Sequence, residues 1–197
     1  MAEISLKDEF FRKLIHLTSV LIVFFYYYLG KEVTLFILAI ALILFIESEY
    51  LRIEKGVNIP LLHDYVRDKE KNRLAGHIFF IIGAIISIAI FDMDIAVAAI
   101  LMTTFGDSAA AIIGRRYGKV SIPGIRNKKL EGCLAELFVN LFIGYLFIDG
   151  IIIILVMAFT ATIVETLVDK LDDNLIIPVF SGFNAQAIRF LFKSLGY

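Results

Sequence analysis

IAVAAILMTTFGDSAAAIIGRRYG, residues 95–118, decides how this chain is to be read. Ile95–Ile113 is an apolar run long enough to cross a bilayer core as a helix, which takes about 20 residues with a range of about 17–25. One carboxylate, Asp107, sits inside the run, and Arg115 and Arg116 follow it. At about 1.5 Å of rise per residue, Asp107 lies about 10 Å below the Arg115 end of the span, too deep for so short a side chain to reach the interface. An ionisable group at that depth is costly and points to function. Gly106, Ala110, Gly114 and Gly118 recur every four residues and make a bare stripe along one face. Such a stripe suits close packing against another helix. It would equally let a ligand lie against the backbone beside Asp107.

The rest of the chain repeats the pattern. It has 197 residues, of which 59% are hydrophobic and 20% charged, with a mean hydropathy of +0.84. Soluble domains are nearer 45–50% apolar. The apolar runs are Phe11–Leu29, Val33–Ile46, Leu74–Phe91, Ile95–Ile113, Leu134–Ile148, Ile151–Val168 and Leu175–Phe192. Their lengths favour helices over buried strands despite the Ile and Val content, and a helix satisfies its own backbone in lipid. The expectation is an all-α polytopic membrane protein of about seven transmembrane helices, with residues 1–197 forming a single integral-membrane catalytic domain. The charged segment Met1–Lys13 is followed by no small-residue cleavage site, so it reads as the lead into an uncleaved first span. The lone cysteine, Cys133, excludes an intrachain disulfide and a cysteine zinc cluster. No nucleic-acid partner is expected, and the oligomeric state is not specified by the sequence.

Seven spans with a cytoplasmic N-terminus place only Lys31, Arg189 and Lys193 outside, leaving 16 of the 19 Lys and Arg residues inside. That asymmetry is a strong positive-inside signal. The connections Glu47–Arg73 and Gly114–Gly132 are the long ones, and both fall on the cytoplasmic side. The polar residues within the spans gather there too. These are His16, Glu47, His77, Asp107, Glu136, Asn140 and Glu165. Helix ends tolerate charge in any membrane protein, so Asp107 carries the most weight among them.

Three further groupings carry chemistry. The loop Arg115–Gly132 holds Arg115, Arg116, Lys119, Arg126, Lys128 and Lys129 among Gly118, Gly124 and Gly132, a mixture suited to phosphate binding. The same basic loop could instead simply meet anionic headgroups. Glu165, Asp169 and Asp173, followed by Asn174, are spaced i, i+4, i+8 and would share a helix face if the helix continued. Stacked carboxylates want a cation, and hard oxygen ligands suit Mg²⁺ or a similar divalent ion, which typically takes one or two carboxylates plus substrate phosphates. Glu9-x2-Arg12-Lys13-x2-His16, at the entry to the first span, adds two cations and a histidine that could contact phosphate. There is no Gly-x4-Gly-Lys-Ser/Thr loop and no protein-kinase signature.

In this order the motifs resemble one family. Glu9-x2-Arg12-Lys13-x2-His16, Gly106-Asp107-Ser108-x-Ala110-x3-Gly114-x3-Gly118, Lys128-Lys129-x-Glu131-Gly132, and Glu165 with Asp173-Asn174-x3-Pro178 look like the CTP-dependent polyprenol, dolichol, phytol and diacylglycerol kinases. These are related to the phosphatidate cytidylyltransferases. The likeness covers essentially the whole chain, with Lys129 where the family often has Ser and Cys133 where Ser often follows the Gly. It implies transfer of the γ-phosphoryl group of CTP to the hydroxyl of a membrane isoprenoid alcohol. It implies catalytic or metal-binding roles for Asp107, Glu165 and Asp169, with Asp173 as a further metal ligand. Arg12, Lys13, Gly114, Arg115, Arg116, Lys128, Lys129, Glu131 and Gly132 would hold the nucleotide, with His16 and Asn174 as additional candidates. A cytidylyltransferase would use the same site with attack at the α-phosphate. A small ion-coupled transporter would spread its ionisable groups through the midplane, and here they crowd one half.

Overall fold

A computed structural model describes residues 20–57, 73–125, 128–168 and 171–196. The elements are α1 (Val20–Lys55), α2 (Gly76–Ile90), α3 (Met93–Leu101), a π-helical turn (Met102–Gly106), α4 (Asp107–Tyr117), α5 (Leu130–Phe147), α6 (Ile151–Leu167) and α7 (Asp173–Ser194). Among the described residues the only extended pairing is an isolated antiparallel bridge between Ser121 and Lys129. The all-helical expectation therefore holds for this part of the chain.

Among the described residues four helices are long and apolar enough to cross a membrane: Val20–Lys55, Leu130–Phe147, Asp173–Ser194, and the continuous Met93–Tyr117 made of α3, the π turn and α4. Gly76–Ile90 and Ile151–Leu167 are equally apolar but shorter, at 15 and 17 residues. The runs expected as separate first and second spans are joined in α1. Its backbone leaves helical geometry at Gly30 (φ 81°, ψ 177°), a left-handed conformation that glycine adopts without a Cβ clash. That residue divides α1 into limbs 20–29 and 31–55. Residues 11–19 of the first expected span lie outside the described residues.

The helix quoted at the outset is the centre of the bundle. Its most apolar window is 72% buried, against 11% for α1 and 33% for α5 and α7. The reason is visible in its sequence. Ala96, Ala98 and Ala99 are fully buried and let neighbours approach on every side, while Ile95, Ile100 and Met102 fill the gaps. The exterior is the reverse of a soluble protein's. Tyr27, Phe138, Tyr145 and Phe190 are more than two-thirds exposed, among many other large apolar side chains. A continuous surface of that kind suits hydrocarbon, and the chain is built as an integral membrane protein.

Two polar ends bracket this core. At one, Asp92 and Asp94 bind Arg189 of α7, with Nη1 donating to Asp92 Oδ2 at 3.0 Å and to Asp94 Oδ1 at 2.7 Å. Gln186 accepts from the Asp92 N–H at 2.9 Å. Lys31 donates to the Ala89 carbonyl at 2.7 Å at the same end of α2. At the other end lie Asp107, Lys128, Glu165 and Asp173.

Candidate active site

The central helix delivers Asp107 by an irregular route. Five residues of π-helix, Met102–Gly106, stand immediately before it. Single π turns inside α-helices occur frequently at functional sites. Thr103, Thr104 and Ser108 are buried, and each hydroxyl donates to the carbonyl four residues back, at 2.8, 2.9 and 2.6 Å. These bonds keep three polar side chains satisfied inside apolar surroundings. Asp107 follows, buried at 8% exposure.

The glycine stripe beside it packs against α5. A Cβ on Gly132 would come within 2.8 Å of the Ala110 carbonyl oxygen and 3.1 Å of Gly114 Cα, so α4 and α5 meet backbone to backbone. A Cβ on Gly106 would overlap the Asn140 carboxamide, and one on Gly118 would overlap Lys129. The stripe is thus a helix-packing surface whose Gly106 end admits the polar side chain of Asn140.

The loop between α4 and α5 is pinned from below. Glu131 accepts from the backbone N–H groups of Lys119 at 2.9 Å and Val120 at 3.1 Å. Leu130 N–H donates to the Val120 carbonyl at 2.9 Å, and Lys129 Nζ donates to Ser121 Oγ at 2.8 Å. Extended backbone sends successive side chains to opposite sides. Lys129 therefore stays with its own loop while Lys128 turns inward and forms an ion pair with Glu165 at the end of α6. Burial pulls the Lys128 ammonium down, but Glu165, Asp173 and Asp107 outweigh it and hold the group above its ordinary range. That list defines the site, because one cation lies within electrostatic reach of carboxylates from α4, α6 and the start of α7. Arg115 and Arg116 are exposed at the end of α4, Arg116 lying 5.5 Å from the centre of the Tyr117 ring.

At the start of α7, Asp172 caps the helix by accepting from Asn174 N–H at 3.1 Å and Nδ2 at 2.8 Å, and Asp173 Oδ1 also accepts from that N–H at 3.0 Å. Asn174 is buried against Gly76 of α2. Of the residues singled out from sequence, Arg12, Lys13, His16 and Asp169 lie outside the described residues. Among the described residues no three His, Cys, Asp or Glu side chains are grouped to hold a metal. The Oε2 atom of Glu165 nevertheless lacks a hydrogen-bond partner, so an acceptor is open beside Lys128. A divalent ion that brings phosphates with it needs only one or two such carboxylates.

Two features escape a reading of the sequence. The first is a polar seam between α5 and α6. Cys133 Sγ lies 3.2 Å from Thr166 Oγ1, Asn140 Nδ2 donates to Thr162 Oγ1 at 3.2 Å, and Glu136 interacts with Glu165, Asp107 and Lys128. Glu136 and Asn140 stand out as in-span polar groups, but their partners on α6 emerge only when the helices are docked. The second is a buried ion pair near the end of α1. Glu47, the acid noted from sequence, is exposed, whereas Glu49 is fully buried. Arg52 donates to Glu49 from Nε at 3.1 Å and from Nη2 at 2.6 Å, and Nη2 also donates to the Arg73 carbonyl at 2.7 Å. Glu49 Oε2 accepts from Ala75 N–H at 2.9 Å. The pair fixes the entry to α2, which abuts Asn174 and Asp172. The i, i+3 spacing of Glu49 and Arg52 is the signal that could have found it.

Comparison with known proteins extends the picture. The chain is 32% identical over 180 residues to an uncharacterized protein of Methanocaldococcus jannaschii, covering 89% of this chain and 91% of that one. It is 31% identical over 134 residues to CTP-dependent diacylglycerol kinase 1 of Schizosaccharomyces pombe, covering 59% of this chain and 62% of the yeast protein. It is 26% identical over 141 residues to phytol kinase 1, chloroplastic, of Arabidopsis thaliana, covering 62% of this chain and 46% of the plant protein. The chain thus spans less than two thirds of the length of these two kinases. No family model matches it, and no solved structure matches it significantly. With near-complete coverage of the archaeal protein and kinase-named homologues in yeast and plants, the chain belongs to the family that contains the CTP-dependent diacylglycerol kinases and the phytol kinases.

Proposed function

We propose that this protein is a CTP-dependent lipid-alcohol kinase. It transfers the γ-phosphoryl group of CTP to the hydroxyl of a membrane isoprenoid alcohol of the dolichol or polyprenol type, releasing CDP. The observation that carries the reading is the meeting of Lys128 with Glu165, Asp107 and Asp173 at one end of an apolar bundle. Phosphoryl transfer is chiefly positioning plus stabilisation of charge on the transferred group, which needs cations and carboxylates in this kind of juxtaposition. The kinase names of the relatives support CTP as donor and a lipid as acceptor. Phytol is itself an isoprenoid alcohol.

In this reading Lys128, with Arg12, Lys13, Arg115, Arg116 and Lys129, binds the triphosphate. Gly114 and Gly132 allow the close approach of α4 and α5, and Glu131 holds the loop in place. Asp107, Glu165, Asp169 and Asp173 are the candidate ligands of Mg²⁺ or a similar divalent ion, which would neutralise charge on the phosphates when bound. His16 and Asn174 are further candidates for contact with the substrates. The distribution of Lys and Arg supports a site on the cytoplasmic face.

The test is a thin-layer assay of purified protein with γ-labelled CTP or ATP against dolichol, shorter polyprenols, geranylgeraniol, phytol and diacylglycerol. Label on the lipid supports the kinase, and the preferred nucleotide and alcohol follow from the same plate. Cytidine on a lipid phosphate instead would make the protein a cytidylyltransferase. Asp107→Asn is expected to lower turnover at least about a hundredfold with unchanged unfolding temperature; an active, folded Asn variant would remove Asp107 from the mechanism.

A further inference from the structure

The seam between α5 and α6 contains a chemical imbalance that begins at Glu165 and continues beyond the nucleotide site to Glu136 and Asn140. Glu136 Oε2, Asn140 Oδ1 and Glu165 Oε2 are buried and have no hydrogen-bond partner. Glu136 and Asn140 are completely buried, and Glu165 is 4% exposed. All three orphaned atoms are oxygens that accept. The neighbouring donors are committed elsewhere: Lys128 Nζ to Glu165 Oε1, and Asn140 Nδ2 to Thr162 Oγ1 and, at 3.5 Å, to Glu136 Oε1. A proton shared between Glu136 and Glu165, which face each other, would serve those two carboxyls, but Asn140 Oδ1 still has no donor; an unpaired buried acceptor is expensive, so the seam calls for a ligand that donates.

Two kinds of ligand donate to oxygen, a cation and a hydroxyl. A cation is disfavoured at the seam. Deeper than Glu165, at Glu136 and Asn140, a cation would feel the repulsion of the Lys128 ammonium without the phosphates that accompany it at the aqueous end, and one carboxylate beside a neutral carboxamide is little to hold it. A neutral hydroxyl meets no such repulsion. The position also fits. Asn140 lies ten residues into α5 from Leu130, about 15 Å along the axis. The seam therefore leads from the Lys128 cluster at the aqueous end into the apolar bundle.

We propose that Glu136 and Asn140 form the acceptor subsite, in which the hydroxyl of the lipid alcohol donates a hydrogen bond to Glu136 Oε2 and Asn140 Oδ1. This rests on the kinase reading and deepens it. The two residues select a lipid that ends in a free hydroxyl, and they hold its oxygen on the bilayer side of Asp107. Gly106 belongs to the same device, because any Cβ there would occupy the space taken by the Asn140 carboxamide.

The experiment measures equilibrium binding to the full chain in lipid nanodiscs, without nucleotide. Geranylgeraniol, phytol and 1,2-dioleoylglycerol are each compared with their O-methyl ethers, which keep the tail and lose the donor. At least one alcohol is expected to bind about tenfold tighter than its ether. Glu136→Leu and Asn140→Leu are each expected to bring that ratio close to one. Where transfer is measurable, these variants raise KM for the alcohol about tenfold and leave KM for CTP unchanged. Equal binding of alcohol and ether by the wild-type protein in all three pairs would show that only water fills the seam and would overturn the proposal. So would an unaltered lipid KM in a folded Glu136→Leu variant. If both variants fail to fold, the wild-type comparison decides alone. Phosphoryl transfer without discrimination between alcohol and ether would leave the kinase standing and remove the subsite. Discrimination without transfer would do the opposite.

Discussion

Lys128 is the residue on which the site's charge balance turns. Its partner Glu165 is almost wholly buried, so removing the ammonium leaves a carboxylate without its cation among other carboxylates. Breaking a buried pair from one side costs about 3–5 kcal/mol. Lys128→Met is therefore expected to lower stability by about 3 kcal/mol in a reversible unfolding assay and to abolish turnover. Adding Glu165→Gln should restore most of the stability and none of the activity. The pH dependence has a definite sign. A lysine whose folded pKa is raised contributes stability that is complete below its unfolded value of about 10.4 and lost as pH rises through the folded value. The ammonium's contribution should thus be lost only above about pH 10. At this scale Asp107, Lys128 and Glu165 could be singled out as candidates from the sequence, because depth in a span and position beside a basic loop are read by counting. Glu49 was not. Its i, i+3 spacing to Arg52 hints at the pair, but burial follows only from the phase of the helix, and the two-residue step from Glu47 turns the side chain by about 200° from an exposed to a buried face.

At the scale of elements, the crossing of α4 and α5 is set by glycine. The nearest atoms to a Cβ on Gly132 are backbone, whereas those to a Cβ on Gly106 belong to a side chain. Backbone cannot rotate away. Gly132→Ala is expected to separate the two helices and cost about 2–3 kcal/mol, seen as a lower unfolding temperature. Gly106→Ala should be better tolerated in stability, since the Asn140 side chain can turn aside. Its cost should fall on the affinity for the lipid acceptor instead. The four-residue repeat announced a close-packed face, and the structure supplies the partner. The sequence could not give that partner, because small residues specify that something approaches without specifying what. Apolar runs were legible because hydropathy is, but the second limb of α1 continues past Ile46 to Lys55. The break at Gly30 falls in the expected connection 30–32, since a single left-handed residue suffices to interrupt a helix.

For the molecule as a whole, polarity is divided between two ends, and the two ends do different work. The cluster of Asp92, Asp94 and Arg189 ties α7 to the turn between α2 and α3 far from the proposed chemistry. Arg189→Gln is expected to lower the unfolding temperature while leaving KM for CTP unchanged. The hydrogen bond from Arg189, with that from Gln186, holds the Asp92 carboxyl below its usual range. A depressed folded pKa means stability that is present above the ordinary carboxylate value of about 4 and lost only as pH falls through the folded value. Unfolding temperature followed from pH 7 down to 3 should show the Arg189-dependent increment persisting to about pH 4 and disappearing below it. The positive-inside asymmetry made the two ends distinguishable from sequence. The pairing of Arg189 with two acids almost a hundred residues away did not follow from it, since that contact depends on how α7 docks.

The π turn at Met102–Gly106 sets the aim of everything that follows it. A π turn carries one residue more than the α-helix it interrupts, so excising a single residue between Thr103 and Phe105 would leave a regular helix with every hydrogen bond available. It would also leave Asp107 facing nearly the same way, because the wider turn spreads about one revolution over the added residue; winding all five residues as ordinary α-helix would instead swing Asp107 by about 90–100°. Such a deletion should therefore fold, insert and keep its carboxylate toward the same neighbours, whereas a variant that loses the π turn at unchanged length should turn that carboxylate away and lose turnover. The irregularity is slack let into the rod, and it keeps the aim of the helix while lengthening its sequence by one.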